Sequence, residues 1–366
     1  MWKWFNYVCS CFPPGQRVLR LNLDETSICL FQGGGRGNVF VSKKRRATQR
    51  ASRAVRRRCL THVGVICDQA DIQPLLPQVL IGNEATFLQR SMVELRGACP
   101  ANVTLLRQRS AWSNAELCAM IVQRIGHALA PCRGRYQPVL LLDAARIHIT
   151  PEVVRACNKA GIWFVLVPAG VTWLLQPLHT HAFQRYKAHL RRKYLEARVD
   201  AAGDALSVGE FLPCVYSAVR MVLQGNRWSG AFDENGFGSQ QALVSPRVLA
   251  KMEHVGRVDV SSDRPSDEDL AHCFPRRARI PIALIWRPFA VATSACAPAA
   301  RGAAGARAAE EAPREPRTRA EHRVAAKSAS SSSSSSSAAG PAPVAVAAPR
   351  IFGRTRSQTR LLARGA

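Results

Sequence analysis

Acidic residues are scarce in this chain. Its 366 residues carry 25 Asp and Glu against 51 Lys and Arg, a formal net charge of +26 with a pI near 10.7. Such an imbalance points to a polyanionic partner, nucleic acid first. Long apolar runs are also missing. No stretch approaches the roughly 18 uninterrupted apolar residues of a membrane span, and the best attempt, residues 280–300, is broken by Pro281, Arg287 and Pro288. A membrane partner is therefore not expected. The first twelve residues hold one Lys and a short apolar stretch cut by polar residues, which makes a poor secretion signal. No Cys-x-x-Cys pair occurs among the twelve cysteines, and only Cys9 and Cys11 are close together. That excludes a zinc ribbon or finger and suits reduced, buried thiols in an intracellular setting. Hydrophobic residues are not in short supply: at 47% they suffice for a sizeable core, so wholesale disorder is excluded.

Composition divides the chain into three zones. Residues 1–16 are a leader rich in Trp, Phe and Cys that ends at Pro13-Pro14-Gly15. Residues 17–260 alternate apolar runs with turn signals and are the expected folded domain. Residues 261–366 are rich in Ala, Pro, Arg and Ser and contain an unbroken serine run from Ser330 to Ser337. Such a segment buries too little apolar surface to offset its chain entropy, so a disordered tail is expected.

Within 17–260, Val18 to Leu23 alternates apolar and polar residues, and a bend at Asp24-Glu25-Thr26 separates it from a second strand, Ser27 to Phe31. Two further strands are expected at Cys59 to Asp68 and Gln78 to Gly82. Ser113, followed three residues on by Glu116, starts a helix that runs through Leu129. Val139 to Leu142 is a fully apolar run ending at Asp143, the pattern of a buried central strand. Thr150-Pro151-Glu152 opens a helix with Pro at its first position, which closes at Gly161, and Ile162 to Val167 is another buried strand. Pro177 to Arg198 is expected to be one long helix with a basic face. Strands first, then alternating strand and helix, give an α/β domain with a mixed sheet.

Asp24 and Asp143 each close an apolar strand. On neighbouring strands of one sheet their carboxylates share a rim, where paired hard oxygens can hold Mg²⁺ or Mn²⁺ for attack on a phosphodiester. Taken alone, two such residues suit a turn or a helix cap equally well.

The words around them say more. Leu23-Asp24-Glu25-Thr26 comes first. Leu140-Leu141-Leu142-Asp143 follows, with His148 five residues on and Pro151-Glu152 opening the next helix. The series ends with Val165-Leu166-Val167-Pro168 and Leu174-Leu175-Gln176-Pro177-Leu178. In this order, over about residues 17–240, the chain resembles the DDE superfamily endonucleases, the pogo/Tigger-type transposases and proteins derived from them. The resemblance implies an RNase H-like fold and, in active members, three carboxylates that cut and join DNA with two metal ions. Asp24 matches the first catalytic Asp and Asp143 the second, and His148 matches a histidine of the second motif. Two positions depart. Ala144 stands where the family has Asn, and His179 stands where the third acid follows Leu-Gln-Pro-Leu. Imidazole in place of carboxylate removes a negative charge and the oxygen that Mg²⁺ prefers. The resemblance thus implies a transposase-derived nucleic-acid-binding protein of impaired catalysis. The alternative is an active metal-dependent DNA endonuclease or strand transferase with Asp24, Asp143 and His179 as ligands of Mg²⁺ or Mn²⁺. Intact members carry a helix-turn-helix reader ahead of the catalytic domain, and here the first motif begins by residue 24, so a domain without that reader is expected.

Two basic clusters stand apart from the catalytic reading. Lys43, Lys44, Arg45, Arg46, Arg50, Arg53, Arg56, Arg57 and Arg58 occur with no acid among them, as a phosphate-binding footprint, a nuclear localisation signal, or both. Arg185, Lys187, Arg191, Arg192 and Lys193 lie on the helix after His179, placed to line a DNA track. Gly33-Gly34-Gly35-Arg36-Gly37 lacks the Lys-Ser/Thr of a phosphate loop and reads as a hairpin loop. Trp163 and Trp173, Cys157 and Cys214 are expected in the core.

Overall fold

The computed structural model describes residues 1–13, 15–29, 59–201, 206–252, 258–274 and 280–287. The described residues belong to one compact unit, within Met1–Ala300. Residues 288–366, the glycine stretch 33–37 and the whole basic cluster from Lys43 to Arg58 lie outside the described residues.

The leader takes part in the fold. Helix α1 (Trp2–Ser10) buries Trp2, Trp4, Phe5 and Val8. Trp4 meets Phe164 edge to face at 5.7 Å between ring centroids, and Phe5 meets Phe237 at 5.3 Å. A nine-residue helix is marginal by itself; its stability comes from this burial. Val8→Ala removes two buried methyl groups and is expected to cost about 2 kcal/mol, read as a fall of about 5 °C in the thermal midpoint. An unchanged midpoint would mean that α1 lies outside the cooperative unit.

Six strands make one sheet: β1 (Arg17–Cys29), β2 (Cys59–Cys67), β3 (Gln78–Asn83), β4 (Val103–Gln108), β5 (Tyr136–Asp143) and β6 (Trp163–Val167), in the order β4-β3-β2-β1-β5-β6. Only β2 runs against the others: β1–β2 and β2–β3 are antiparallel, while β3–β4, β1–β5 and β5–β6 are parallel. The carboxyl ends of five strands therefore share one rim. This mixed sheet flanked by helices is the RNase H-like α/β arrangement that the motifs imply. Helix α2 (Met92–Gly97) precedes β4, α3 (Ala115–Ala128) precedes β5, and α4 (Pro151–Lys159) joins β5 to β6. After the sheet come the short α5 (Thr172–Leu175), the long α6 (Phe183–Asp200), α7 (Val208–Ala218), α8 (Ser229–Glu234), α9 (Pro246–Leu249) and α10 (Asp267–Cys273).

Several expectations need correction. β1 is a single strand through Asp24-Glu25-Thr26, because β2 pairs with it residue by residue from Leu21 to Cys29 and satisfies the backbone of the polar stretch. Helix α3 is capped by Asn114, not Ser113: the Asn114 side chain accepts from the Leu117 amide at 2.8 Å. The long helix starts at Phe183, and Leu178–Ala182 before it forms a π-helical turn. Trp173 is not in the core; it is 53% exposed, while Trp163, Cys157 and Cys214 are buried as expected. Residues beyond 260, assigned to the tail by composition, include α10, and Leu270, Cys273, Ile285 and Trp286 are buried. Among the described residues, no helix is long and apolar enough to cross a membrane.

Candidate functional site

Register places the two aspartates. The parallel pairing of β1 and β5 sets Asn22 opposite Leu141, and continuing it by two residues sets Asp24 opposite Asp143. On the other side Asp24 faces Gly64 of β2. A Cβ at Gly64 would come within 3.1 Å of the Phe183 ring, so the missing side chain lets the start of α6 lie flat on the sheet beside Asp24. Strand alternation then divides the acids. Asp24 points to the α6 side and Glu25 to the α3 side, where, after burial, its charge helps to raise the Cys118 thiol.

The Gln176-Pro177-Leu178 segment is fastened to β1 by reciprocal hydrogen bonds. Gln176 Nε2 donates to the Leu23 carbonyl at 3.2 Å, and the Leu178 amide donates to Asn22 Oδ1 at 2.8 Å. Asn22 Nδ2 in turn donates to the Leu141 carbonyl at 2.9 Å, tying β1 to β5. Both side chains are buried. Together they hold position 179 at the rim, and the exposed His179 lies close enough to Asp143 to favour its ionised form.

His148 dominates the electrostatics. Its Nδ1–H donates to Asp143 Oδ1 at 2.5 Å and its Nε2–H to Glu25 Oε1 at 3.4 Å. Burial opposes the imidazolium, but the two carboxylates outweigh burial and hold its pKa up at about 10. Burial likewise pushes Asp143 up, yet the His148 hydrogen bond and charge, with the Ala145 amide at 3.1 Å, keep it below the usual carboxylate range. Asp24 has weaker relief, from the Glu25 amide that donates to its Oδ1 at 2.8 Å and from the His148 charge. Burial, then the neighbouring Asp143 charge, push it up to about 8, so it holds its proton near neutral pH.

Two adjacent carboxylates with one of them protonated have the charge deficit of a cation site, but the third donor is wanting. Among the described residues no group of three His, Cys, Asp or Glu is arranged to hold a metal ion. Asp143 Oδ1 is already engaged by His148 and Ala145, Glu25 is turned to the other face, and position 179 offers nitrogen where Mg²⁺ prefers oxygen. His181, two residues on, is engaged elsewhere: it binds Glu234 Oε2 at 2.8 Å and Thr180 Oγ1 at 2.7 Å. Ala144 is buried and brings no amide to the site. The residues present do not fit a three-carboxylate, two-metal centre.

Residues 65–224 match the DDE superfamily endonuclease model. The match bears out the resemblance drawn from the motifs. It takes in Asp143, His148 and His179 of the DDE-like domain; Asp24 precedes it, and its place at the site comes from the sheet register. No curated protein matches the chain. Solved structures similar to it include two transposase complexes. A Mos1 transposase paired-end complex with left transposon end shares 15% identity over 60% of this chain and 56% of that one, with a TM-score of 0.32. A Mos1 mariner paired-end complex with Mn shares 14% over 59% and 55%, with a TM-score of 0.30. The chain thus spans a little over half the length of these transposase chains.

Around the DDE-like site, the basic residues of α6 do not share one face, as the sequence led us to expect. The buried stripe of α6 is Phe183, Tyr186, Leu190 and Tyr194. At 3.6 residues per turn, Lys187 and Arg191 flank that stripe on one side, Lys193 on the other, and Arg185 and Arg192 lie opposite it. Lys187 is the one that reaches the site: burial lowers its pKa and the Asp24 carboxylate counteracts that. Lys193 and Arg192 are drawn to Glu196, at 2.7 and 3.8 Å, and Arg185 lies over the Trp228 ring at 5.9 Å. The sequence reading missed Glu25, Asn22 and Gln176 as parts of the site. Glu25 adjoins Asp24 in the first motif, and Gln176 lies within the third, so each carried a signal of position though not of role.

Proposed function

We propose that this chain is a transposase-derived nucleic-acid-binding protein whose DDE endonuclease-like domain is catalytically impaired. One observation carries the second half: where the third acid belongs, directly after Leu-Gln-Pro-Leu, the rim carries the exposed imidazole of His179. Of the remaining pair, Asp143 is bonded directly by the internal cation His148, which reaches Asp24 through its charge only. The nucleic-acid half is supported by the net charge of +26, by the family match, and by the exposed Arg185, Lys187, Arg191 and Arg192 on the helix beside the site.

The test combines plasmid nicking and DNA binding by the full chain. Binding to duplex DNA is expected to weaken steeply with salt, with a log–log slope near −8 if the nine basic residues of 43–58 meet phosphates, at about 0.9 per contact. Nicking in Mg²⁺ and in Mn²⁺ is expected to stay at background. Nicking by the unaltered chain that disappears in Asp143→Asn would instead establish a working Asp/Asp/His enzyme. Binding that ignores salt would remove the phosphate-directed reading.

A further inference from the structure

The chain has seven tryptophans, and five of them (Trp2, Trp4, Trp163, Trp228 and Trp286) are buried. The other two, Trp112 at 76% and Trp173 at 53%, remain exposed. An exposed indole is unusual for so large an apolar group, and the positions of these two coincide with the site. Trp112 follows the carboxyl end of β4 and lies two residues ahead of Asn114, the cap of α3. The first turn of that helix brings Cys118 within electrostatic reach of Glu25 and Asp143. Trp173 follows the carboxyl end of β6, three residues before Gln176, which is fastened to the backbone next to Asp24. β4 and β6 are the two edges of the sheet and the aspartates lie between them. Five strand spacings of about 4.8 Å separate those edges by about 24 Å.

The indoles are single, separated aromatic faces with charge between them, not a contiguous apolar patch of the kind that docks a protein. Trp173 is also held in place. Its Nε1–H donates to the Gly170 carbonyl at 2.9 Å, and the Lys251 ammonium stands 5.6 Å from its ring centroid. Exposed cations occur on the same rim: Arg109 just after β4, Arg146 just after β5, and Lys251 at Trp173. Fixed aromatic faces alternating with cations are what a nucleic-acid strand with unpaired bases requires, since every base offers a π-face and every linkage a negative charge.

We propose that Trp112 and Trp173 are base-stacking platforms, and that this rim takes single-stranded nucleic acid, with phosphates on Arg109, Arg146 and Lys251. The assignment rests on the nucleic-acid-binding reading above and narrows it to an unpaired strand crossing the carboxylates. The test is fluorescence anisotropy of the full chain with a labelled thymidine oligonucleotide of about fifteen nucleotides, within the range one such surface spans, and with a duplex of equal length. Trp173→Ala and Trp112→Ala are each expected to weaken single-strand binding about tenfold, the scale of one lost stacked base, and to leave duplex binding within about twofold. Trp173→Phe keeps a π-face and is expected to restore most of the loss, which a folding defect would not allow. Single-strand affinity unchanged in both alanine variants, or single-strand and duplex affinity falling together, would overturn the proposal while leaving nucleic-acid binding in place. Failure of the unaltered chain to bind either probe would overturn both.

Discussion

His179→Asp is expected to convert the chain into a metal-dependent nickase. The fold needed for that result is present: Asn22 and Gln176 fasten the segment that carries position 179 against β1, so the new carboxylate would be delivered to the rim where Asp24 and Asp143 already lie. His179 is exposed, and nothing in the core depends on it. The substitution adds a negative charge and a hard oxygen to a site that already holds one protonated carboxylate, which makes cation binding more favourable, and a bound cation in turn displaces the Asp24 proton. Since a bound divalent ion contributes several kcal/mol to a phosphoryl transition state, the gain in Mg²⁺-supported nicking is expected to be about a hundredfold or more. Combining it with Asp143→Asn should return the rate to background. Two controls identify the cause. His179→Asn, which adds oxygen without charge, should do little, and DNA binding should change only slightly in any of the variants. A folded, DNA-binding His179→Asp chain that stays inert in Mg²⁺ and Mn²⁺ would locate the defect elsewhere. Ala144 and the His148 hydrogen bond to Asp143 would be the first places to look.

How much of this was legible without coordinates depends on where the determining interactions lie. Strand β5 was readable because Val139 to Leu142 is apolar on both faces, a pattern that only a covered central strand produces. The α4 helix was readable from Thr150 and Pro151, which act locally. β1 was split wrongly because Asp24-Glu25-Thr26 is polar and has the look of a bend. What straightens it is β2, more than thirty residues away in sequence. β4 went unseen: its alternation, Val103 and Leu105 inward with a more exposed Arg107, is short and sits at a sheet edge. The leader helix was invisible for a similar reason, since Trp4 and Phe5 find their partners at Phe164 and Phe237. At the site, position could be read from motif order, but charge balance could not. That His148 spans Asp143 and Glu25, and so bonds neither oxygen of Asp24, follows from both of its ring nitrogens being used at once.

The other large effect is expected from Arg20, which lies just ahead of the first motif and outside all three. Its guanidinium is buried in β1 and makes four contacts at once. Nε donates to Asp68 Oδ2 at 2.7 Å, one terminal nitrogen donates to Asp233 Oδ1 at 2.5 Å and to the Phe237 carbonyl, and the group lies over the Phe232 ring at 5.4 Å. Asp68, which also accepts from the Arg20 amide at 3.3 Å, is just as buried. The group thereby ties β1, the residue after β2, and the segment from α8 to Phe237 into one cluster. Arg20→Met removes the cation and leaves the Asp68 carboxylate in the interior, which is expected to cost about 3–5 kcal/mol. Arg20→Lys is expected to recover little, since an ammonium cannot reproduce a planar fork with several fixed acceptors. The pH dependence identifies the source. Burial already raises Asp68 above its ordinary value, and Arg20 opposes that; without Arg20 the folded-state pKa rises further. A group whose folded pKa exceeds its unfolded value stabilises the native state at low pH and loses that contribution as pH rises through the folded value. Urea unfolding should therefore show the Arg20→Met penalty growing from pH 5 to pH 8, and the double variant Arg20→Met with Asp68→Leu should regain much of the loss with little pH dependence. A penalty equal at both pH values, and unrelieved in the double variant, would place the cost in lost packing against Phe232 and Phe237 instead of in the stranded carboxylate.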